Sequence, residues 1–193
     1  MILQELPGQL REYFSADIAL QEGGAPDHNI PQEYLNTIAL PGMPLHRTHL
    51  KIDCPIILLR NLDPSSGLCN GTRMVITRMA QHVIEARILA GSHAGDLVLI
   101  PRLSLDSSRA AGLPFTLRRR QFPVRLAFAM TINKSQGQSL QRVGLYLREP
   151  VFAHGQLYVA LSRCTDSRNL WIALPPERNR RTDNIVYRQV LNI

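Results

Sequence analysis

From Arg11 to Leu20 apolar and polar residues alternate, the period of a strand with one buried face. Gln21 to Asn29 holds Gly23, Gly24 and Pro26 and reads as a loop. Ile30 to Ala39 suits a helix, with Pro31 tolerated in its first turn. Pro41-Gly42-Met43-Pro44 then punctuates the chain. A β-rich stretch follows, with strands predicted at Leu45–Asp53, Pro55–Leu62, Thr72–Arg78, Val83–Leu89 and Leu97–Pro101. Turn chemistry separates them: Asp63-Pro64-Ser65-Ser66-Gly67, then Asn70-Gly71, then a segment bounded by Ala90 and Gly95. Short strands at this spacing predict a small barrel.

Ser104 to Gly112 reads as a flexible return segment, and beyond Pro114 the pattern changes. Strands are expected at Phe115–Arg119, Val124–Phe128, Val143–Leu147 and Leu170–Leu174, with a helix at Phe152–Ser162. Strands alternating with helices indicate an α/β layer. Trp171 falls in a strand expected to be buried, and the tail from Pro175 to Ile193 is polar, basic and peripheral.

Composition sharpens this outline. Apolar residues make up 45% and charged residues 19%, which suits a globular chain with a sizeable core. No apolar run is long enough to span a membrane, and Met1 to Arg11 lacks a signal-peptide layout. The expectation is a soluble intracellular protein, nuclear before mitochondrial, with no membrane partner. Cys54, Cys69 and Cys164 are scattered, as in a reducing compartment, and Cys54 and Cys164 read as small core residues. His46 and His49 would face opposite sides of a strand, so no metal is expected there.

Charge adds more. Nine basic and eleven acidic residues up to Leu113 give −2, whereas thirteen basic and four acidic from Pro114 onward give +9. Arginine accounts for 20 of the 22 basic residues, which codon bias could produce. Codon bias would spread the charge evenly, however, and a localised basic field suits a phosphate-bearing partner.

Two polar clusters lie in that basic part. Thr131-Ile132-Asn133-Lys134-Ser135-Gln136-Gly137-Gln138 follows an apolar run and closes on Gly. Backbone N–H groups at such a turn can approach an anion, with Asn133 and Lys134 as further donors. An ordinary helix end with Lys in its last turn reads equally well. Gln156 to Arg163 would place Gln156, Val159 or Ala160, and Arg163 along one helical face, with Arg163 projecting from the end. An Arg near a helix C-terminus is also simply favoured by the dipole.

These two segments resemble motifs V and VI of superfamily 1 helicases. The wording is similar to the petite-integration-frequency (PIF) family of DNA helicases, in particular the branch carried by Helitron transposons. The resemblance runs on through Arg11-Glu12-Tyr13-Phe14-Ser15-Ala16-Asp17, Pro41-Gly42-Met43-Pro44, Leu58-Leu59-Arg60-Asn61-Leu62-Asp63, Gly67-Leu68-Cys69-Asn70-Gly71-Thr72-Arg73 and Arg119-Arg120-Gln121-Phe122-Pro123-Val124. It implies an α/β fold: a partial RecA-like lobe, the second of the helicase, carrying an inserted SH3-like barrel. Residues 1–38 and 114–174 would form the lobe, 39–113 the inserted 2B subdomain and 175–193 a basic tail.

The resemblance also implies roles. Thr131, Asn133 and Lys134 would face the DNA backbone, with Ser135 counted beside them where that face meets the nucleotide side. Gln136, Gly137 and Gln138 would lie toward ATP. Arg163 would be the catalytic arginine finger on the γ-phosphate, presented by a helix that Gln156 and Tyr158 shape. Many relatives carry His where Asn133 stands; Asn still donates a hydrogen bond but cannot carry a proton.

The chain departs from the complete pattern. It has no G-x-x-x-x-G-K-[ST] and no apolar strand ending in paired acids. ATP and Mg²⁺ are therefore expected to be held mainly by a first RecA-like lobe outside this chain, which alone should not hydrolyse ATP. The expected function is part of a 5′→3′ ATP-dependent DNA helicase whose partners are single-stranded DNA and that first lobe. One competing reading is a non-catalytic single-stranded nucleic-acid-binding module or transposon remnant; another is a truncated gene model whose missing part encodes the first lobe.

Overall fold

The computed structural model describes residues 2–108, 112–187 and 189. In chain order it contains α1 (Ile2–Glu5), β1 (Arg11–Phe14), β2 (Ala16–Leu20), α2 (Gln32–Thr37), β3 (Arg47–Leu50), β4 (Pro55–Leu58), β5 (Arg73–Met79) and β6 (Val83–Ile88). Then come β7 (Leu97–Pro101), β8 (Leu103–Asp106), β9 (Thr116–Gln121), β10 (Val124–Leu126), β11 (Val143–Tyr146), α3 (Gln156–Leu161) and β12 (Leu170–Ala173). Internal contacts divide the chain into two units, Met1–Phe128 and Ala129–Ile193.

In the first unit, a five-stranded antiparallel sheet runs in the order β10-β4-β5-β6-β7. Burial alternates along β5, β6 and β7, so one face supplies Met74, Ile76, Ile84, Ala86, Val98 and Ile100 to a core that also holds Ile56, Leu58 and Phe122. Each such aliphatic side chain stabilises the fold by about 1.5–3 kcal/mol on burial. These are the strands of the predicted barrel; among the described residues their ladder ends at β7 and β10 rather than closing.

The alternating run from Arg11 to Leu20 is two strands. Ser15 interrupts it: its N–H donates to His46 O at 2.9 Å, and its hydroxyl lies 2.6 Å from Asp17 Oδ1. As a result β1 pairs with β3 while β2 pairs with β9. The helix predicted over Ile30–Ala39 is shorter, capped by Pro31 and by an extended Ile38. The return segment at Ser104 is partly a strand, since β8 pairs with β9 up to Asp106, while Arg109–Ala111 lie outside the described residues. Helix α1 was not anticipated, because four residues are too few to show a period.

The second unit contains the β11-α3-β12 crossover. Parallel strands need such a connection, and α3 supplies it. Leu145, Leu147, Val151 and Ala160 form its core, with Leu157 and Ile185 packed against it. Contrary to expectation, β12 is not buried: Trp171 is 56% exposed and Ile172 48%. The cause is the small size of this layer: among the described residues β12 pairs only with β11, and residues on both of its faces, Trp171 and Ile172, stay exposed. The helix predicted from Phe152 begins only at Gln156, and Phe152 is solvent-exposed. Cys54 is buried as expected, whereas Cys164 is only half-buried, its thiol donating to Asp166 O at 3.2 Å. The described tail turns back on this unit, with Tyr187 N donating to His154 Nδ1 at 3.0 Å; Arg188 and residues 190–193 lie outside the described residues.

The unit boundary also redistributes the charge. Arg118, Arg119, Arg120 and Arg125 belong to the first unit, so the units carry 13 − 11 = +2 and 9 − 4 = +5.

Candidate functional site

The first polar cluster is a short 3₁₀ turn and the second is helix α3 with its C-terminal cap. Thr131, extended at φ −71° and ψ 152°, leads into a 3₁₀ turn at Ile132–Ser135. The side chains of Thr131, Asn133 and Lys134 are exposed, while Ser135 is turned inward, donating its hydroxyl to Ile132 O at 2.6 Å. Gly137 follows at φ +78°, a left-handed conformation in which a side chain would be strained. That turn folds Gln138 back so that its N–H reaches Ser135 O at 3.1 Å and its Nε2 reaches Lys134 O at 3.3 Å.

On α3, Gln156 is buried and accepts from Phe152 N at 3.0 Å, which ties the preceding loop to the helix. Tyr158 is 73% exposed. Arg163 does not extend the helical face, because α3 ends at Leu161 and Ser162 is its C-cap. The guanidinium instead folds back. Nε donates to Val159 O at 2.9 Å, Nη1 to Gln138 O at 3.0 Å and Nη2 to Ser162 Oγ at 2.8 Å. Backbone bonding reinforces the join, with Leu140 N donating to Arg163 O at 2.8 Å. Arg163 thus brings together two segments that lie 25 residues apart at Gln138.

Three of the five guanidinium N–H groups are used here, leaving two for another acceptor. Gln138 Oε1 is buried with no hydrogen-bond partner. A half-committed guanidinium and a glycine turn suit the end of a phosphate chain, and the orphaned amide oxygen, an acceptor, suits a water O–H. They do not suit a divalent metal. Asp166 is occupied by Arg168, Glu149 by Arg178, and among the described residues no group of three His, Cys, Asp or Glu could hold a metal ion.

Sequence comparison extends this picture over most of the chain. The family model for the 2B domain of DNA helicase Pif1 matches residues 33–79, and a helicase model matches residues 119–191. Human ATP-dependent DNA helicase PIF1 is 32% identical over 171 residues, which are 87% of this chain and 24% of the relative. ATP-dependent DNA helicase PIF6 of Trypanosoma brucei brucei is 30% identical over 144 residues, 69% of this chain and 18% of the relative. The chain therefore spans about a quarter or less of the length of these curated relatives.

Among solved structures, Pif1 helicase from Candida albicans aligns with a TM-score of 0.65 at 22% identity, covering 99% of this chain and 44% of that one. Bacteroides Pif1 bound to single-stranded DNA aligns at 0.63 and 22%, covering 99% and 41%. Fold, motif order and family models agree: this chain belongs to the Pif1-like family of DNA helicases.

Proposed function

We propose that the chain supplies part of an ATP-dependent DNA helicase that moves 5′→3′ on single-stranded DNA, of the Helitron-borne branch whose wording its motifs share. In this reading residues 1–38 and 114–174 make up the second RecA-like lobe, residues 39–113 the inserted 2B subdomain, and residues 175–193 the basic tail. Supporting the insertion, β2 and β9 lie on either side of residues 39–113 and pair with each other. ATP, where bound, supplies the phosphoryl group whose hydrolysis drives movement. Arg163 then neutralises charge on the terminal phosphate, Gln138 Oε1 accepts from water near it, and exposed Thr131, Asn133 and Lys134 hold the DNA backbone.

The observation that supports this reading is the bond from Arg163 Nη1 to Gln138 O at 3.0 Å, which ties the end of α3 to the segment holding Thr131, Asn133 and Lys134. To test it, the chain is combined with a first lobe bearing a phosphate loop, and DNA-stimulated ATPase is measured. Arg163→Lys and Arg163→Ala should each reduce turnover, the latter by about 10³–10⁵-fold. Unchanged turnover in Arg163→Ala would rule out the finger.

A second reading, a nucleic-acid-binding module without hydrolysis, rests on the net charge of +9 from Pro114 onward and on the lack of a G-x-x-x-x-G-K-[ST] in the sequence. Salt-sensitive binding of single strands without ATPase in that two-lobe assembly would select it.

A further inference from the structure

Phe14 ends β1 with 52% of its surface exposed, an unusual placement for a ring beside a well-filled core. An arginine and a histidine flank it. The guanidinium carbon of its cross-strand partner Arg47 lies 5.9 Å from the ring centroid, and the His46 ring lies 5.6 Å away at a 55° tilt. Below it, Arg102 Nη1 donates to Phe14 O at 2.8 Å while its guanidinium sits 5.4 Å from the Tyr13 ring and 5.0 Å from the Phe122 ring. Arg102 Nε is buried without a partner.

Arg120 completes the group. It is exposed on β9, opposite Ala16 on β2 and Ser104 on β8, so neither cross-strand neighbour can neutralise it. Burial holds the Arg102 guanidinium below its ordinary range, and the like charge of Arg120 pushes the same way. The acids on these strands are already committed: Glu12 to Arg47 and His49, Asp106 to Arg118, and Asp17 to Arg119. Among the described residues, two arginines therefore stand without an acidic partner near an aromatic ring that is half exposed. A planar π-system with attached phosphates satisfies both features at once, because the ring offers stacking and the arginines offer charge.

We propose that Phe14, Arg102 and Arg120 form a second contact for single-stranded nucleic acid, located in the first unit, in which a base stacks on Phe14 and adjoining phosphates lie on Arg102 and Arg120. The proposal rests on the helicase reading, since it supposes that the chain meets single strands, but it shares no residue with the cluster at Thr131–Gln138.

The experiment uses the 193-residue chain and a fluorescein-labelled oligo-dT, with anisotropy recorded over a salt series. Phe14→Ala and Phe14→Leu should both weaken binding, by about 5- to 150-fold, with an unchanged salt slope, because leucine covers the surface without offering a flat π face. Arg120→Ala should lower the slope of log affinity against log salt by about 0.7, one single-strand phosphate, and leave the melting temperature in place. If the parent chain binds and Lys134→Ala weakens it while the Phe14 and Arg120 variants match the parent, this contact is refuted and the helicase reading stands. If the parent chain fails to bind at low salt, the DNA-facing part of the helicase reading falls, and the contact with it. Competition by polyglutamate as effective as by unlabelled oligo-dT would mark the surface as one for acidic partners in general and overturn the stacking.

Discussion

Asp17 on β2 and Arg119 on β9 stand directly opposite each other and bond in bidentate fashion, Nε to Oδ1 at 2.9 Å and Nη2 to Oδ2 at 2.7 Å, with both side chains out of solvent. The remaining guanidinium donors go to Leu35 O at 3.0 Å, Ile38 O at 3.0 Å and Pro44 O at 3.1 Å. All five N–H groups are thereby used. One arginine thus closes the end of α2, the loop after it and the β2–β9 ladder. Its neighbour Gln121 repeats the device, donating to Tyr13 O and to His46 O at 3.1 Å each.

Removing one member of the Asp17–Arg119 pair leaves a buried charge without its partner. Asp17→Asn or Arg119→Met should lower stability by about 3–5 kcal/mol. The double variant Asp17→Leu with Arg119→Met should recover part of that loss, although the carbonyls of Leu35, Ile38 and Pro44 would stay unbonded. Urea unfolding of the three variants checks this, and additive losses would show that the pair does not act as a unit.

Gly67 ends the 3₁₀ turn at Pro64–Ser66 with φ +75°, and a Cβ there would come within 2.9 Å of the His93 side chain. Backbone strain and the clash both oppose Gly67→Ala, which should cost about 1–3 kcal/mol. Adding His93→Ala should restore only the share due to the clash, a difference that thermal melts of the single and double variants resolve.

Arg163 is bonded to Val159, Gln138 and Ser162, so it contributes to the fold as well as to the proposed chemistry. Arg163→Ala should lower the chain's stability by about 1–3 kcal/mol, the net worth of a few partly exposed hydrogen bonds. Arg163→Lys keeps the charge but not the forked geometry and should recover little of it. Thermal unfolding of both variants without ATP isolates this contribution from turnover.

Several carboxylates are held below their ordinary range: Glu12 chiefly by the hydrogen bond from Arg47, Asp106 by that from Arg118, Asp166 by that from Arg168, and Asp63 by the Ser65 and Ser66 side chains. A depressed folded-state pKa favours the folded form while the group is ionised. The contribution is complete above the ordinary values of 4.5 for Glu and 3.8 for Asp, and is lost as pH falls through the lower folded values. Urea midpoints should therefore drop on acidification through that range. Asp106→Asn should make the drop shallower.

Trp171 is the sole tryptophan and is more than half exposed. Native emission should be solvent-like and quenched by acrylamide almost as readily as in the unfolded chain. A blue-shifted, protected emission would mean that another surface covers this face of β12 in solution.

Much of this was legible in the sequence because it depends on short-range pattern. The strands from Pro55 to Pro101 follow from alternation and turn residues, and the parallel layer follows from strand and helix periods beyond Pro114. The two polar clusters were visible for a similar reason, since glycine placement and the abrupt change from apolar to polar are local. Three things were not local. The break at Ser15 depends on His46, the exposure of Trp171 depends on how few strands flank β12, and the bent-back geometry of Arg163 depends on where Gln138 O lies.

Asp17 and Arg119 show the division most clearly. By itself the sequence determined that β2 and β9 would be strands, that both would bear charged residues, and that the later part of the chain would be basic. Only the tertiary structure decided which charges cancel. Cross-strand register places Asp17 against Arg119 and Asp106 against Arg118 but sets Arg120 beside Ala16 and Ser104. Register is a long-range property fixed by burial of one face of each strand, so identical arginines, consecutive in sequence, become a buried support, a paired surface charge and, among the described residues, a cation without an acidic partner.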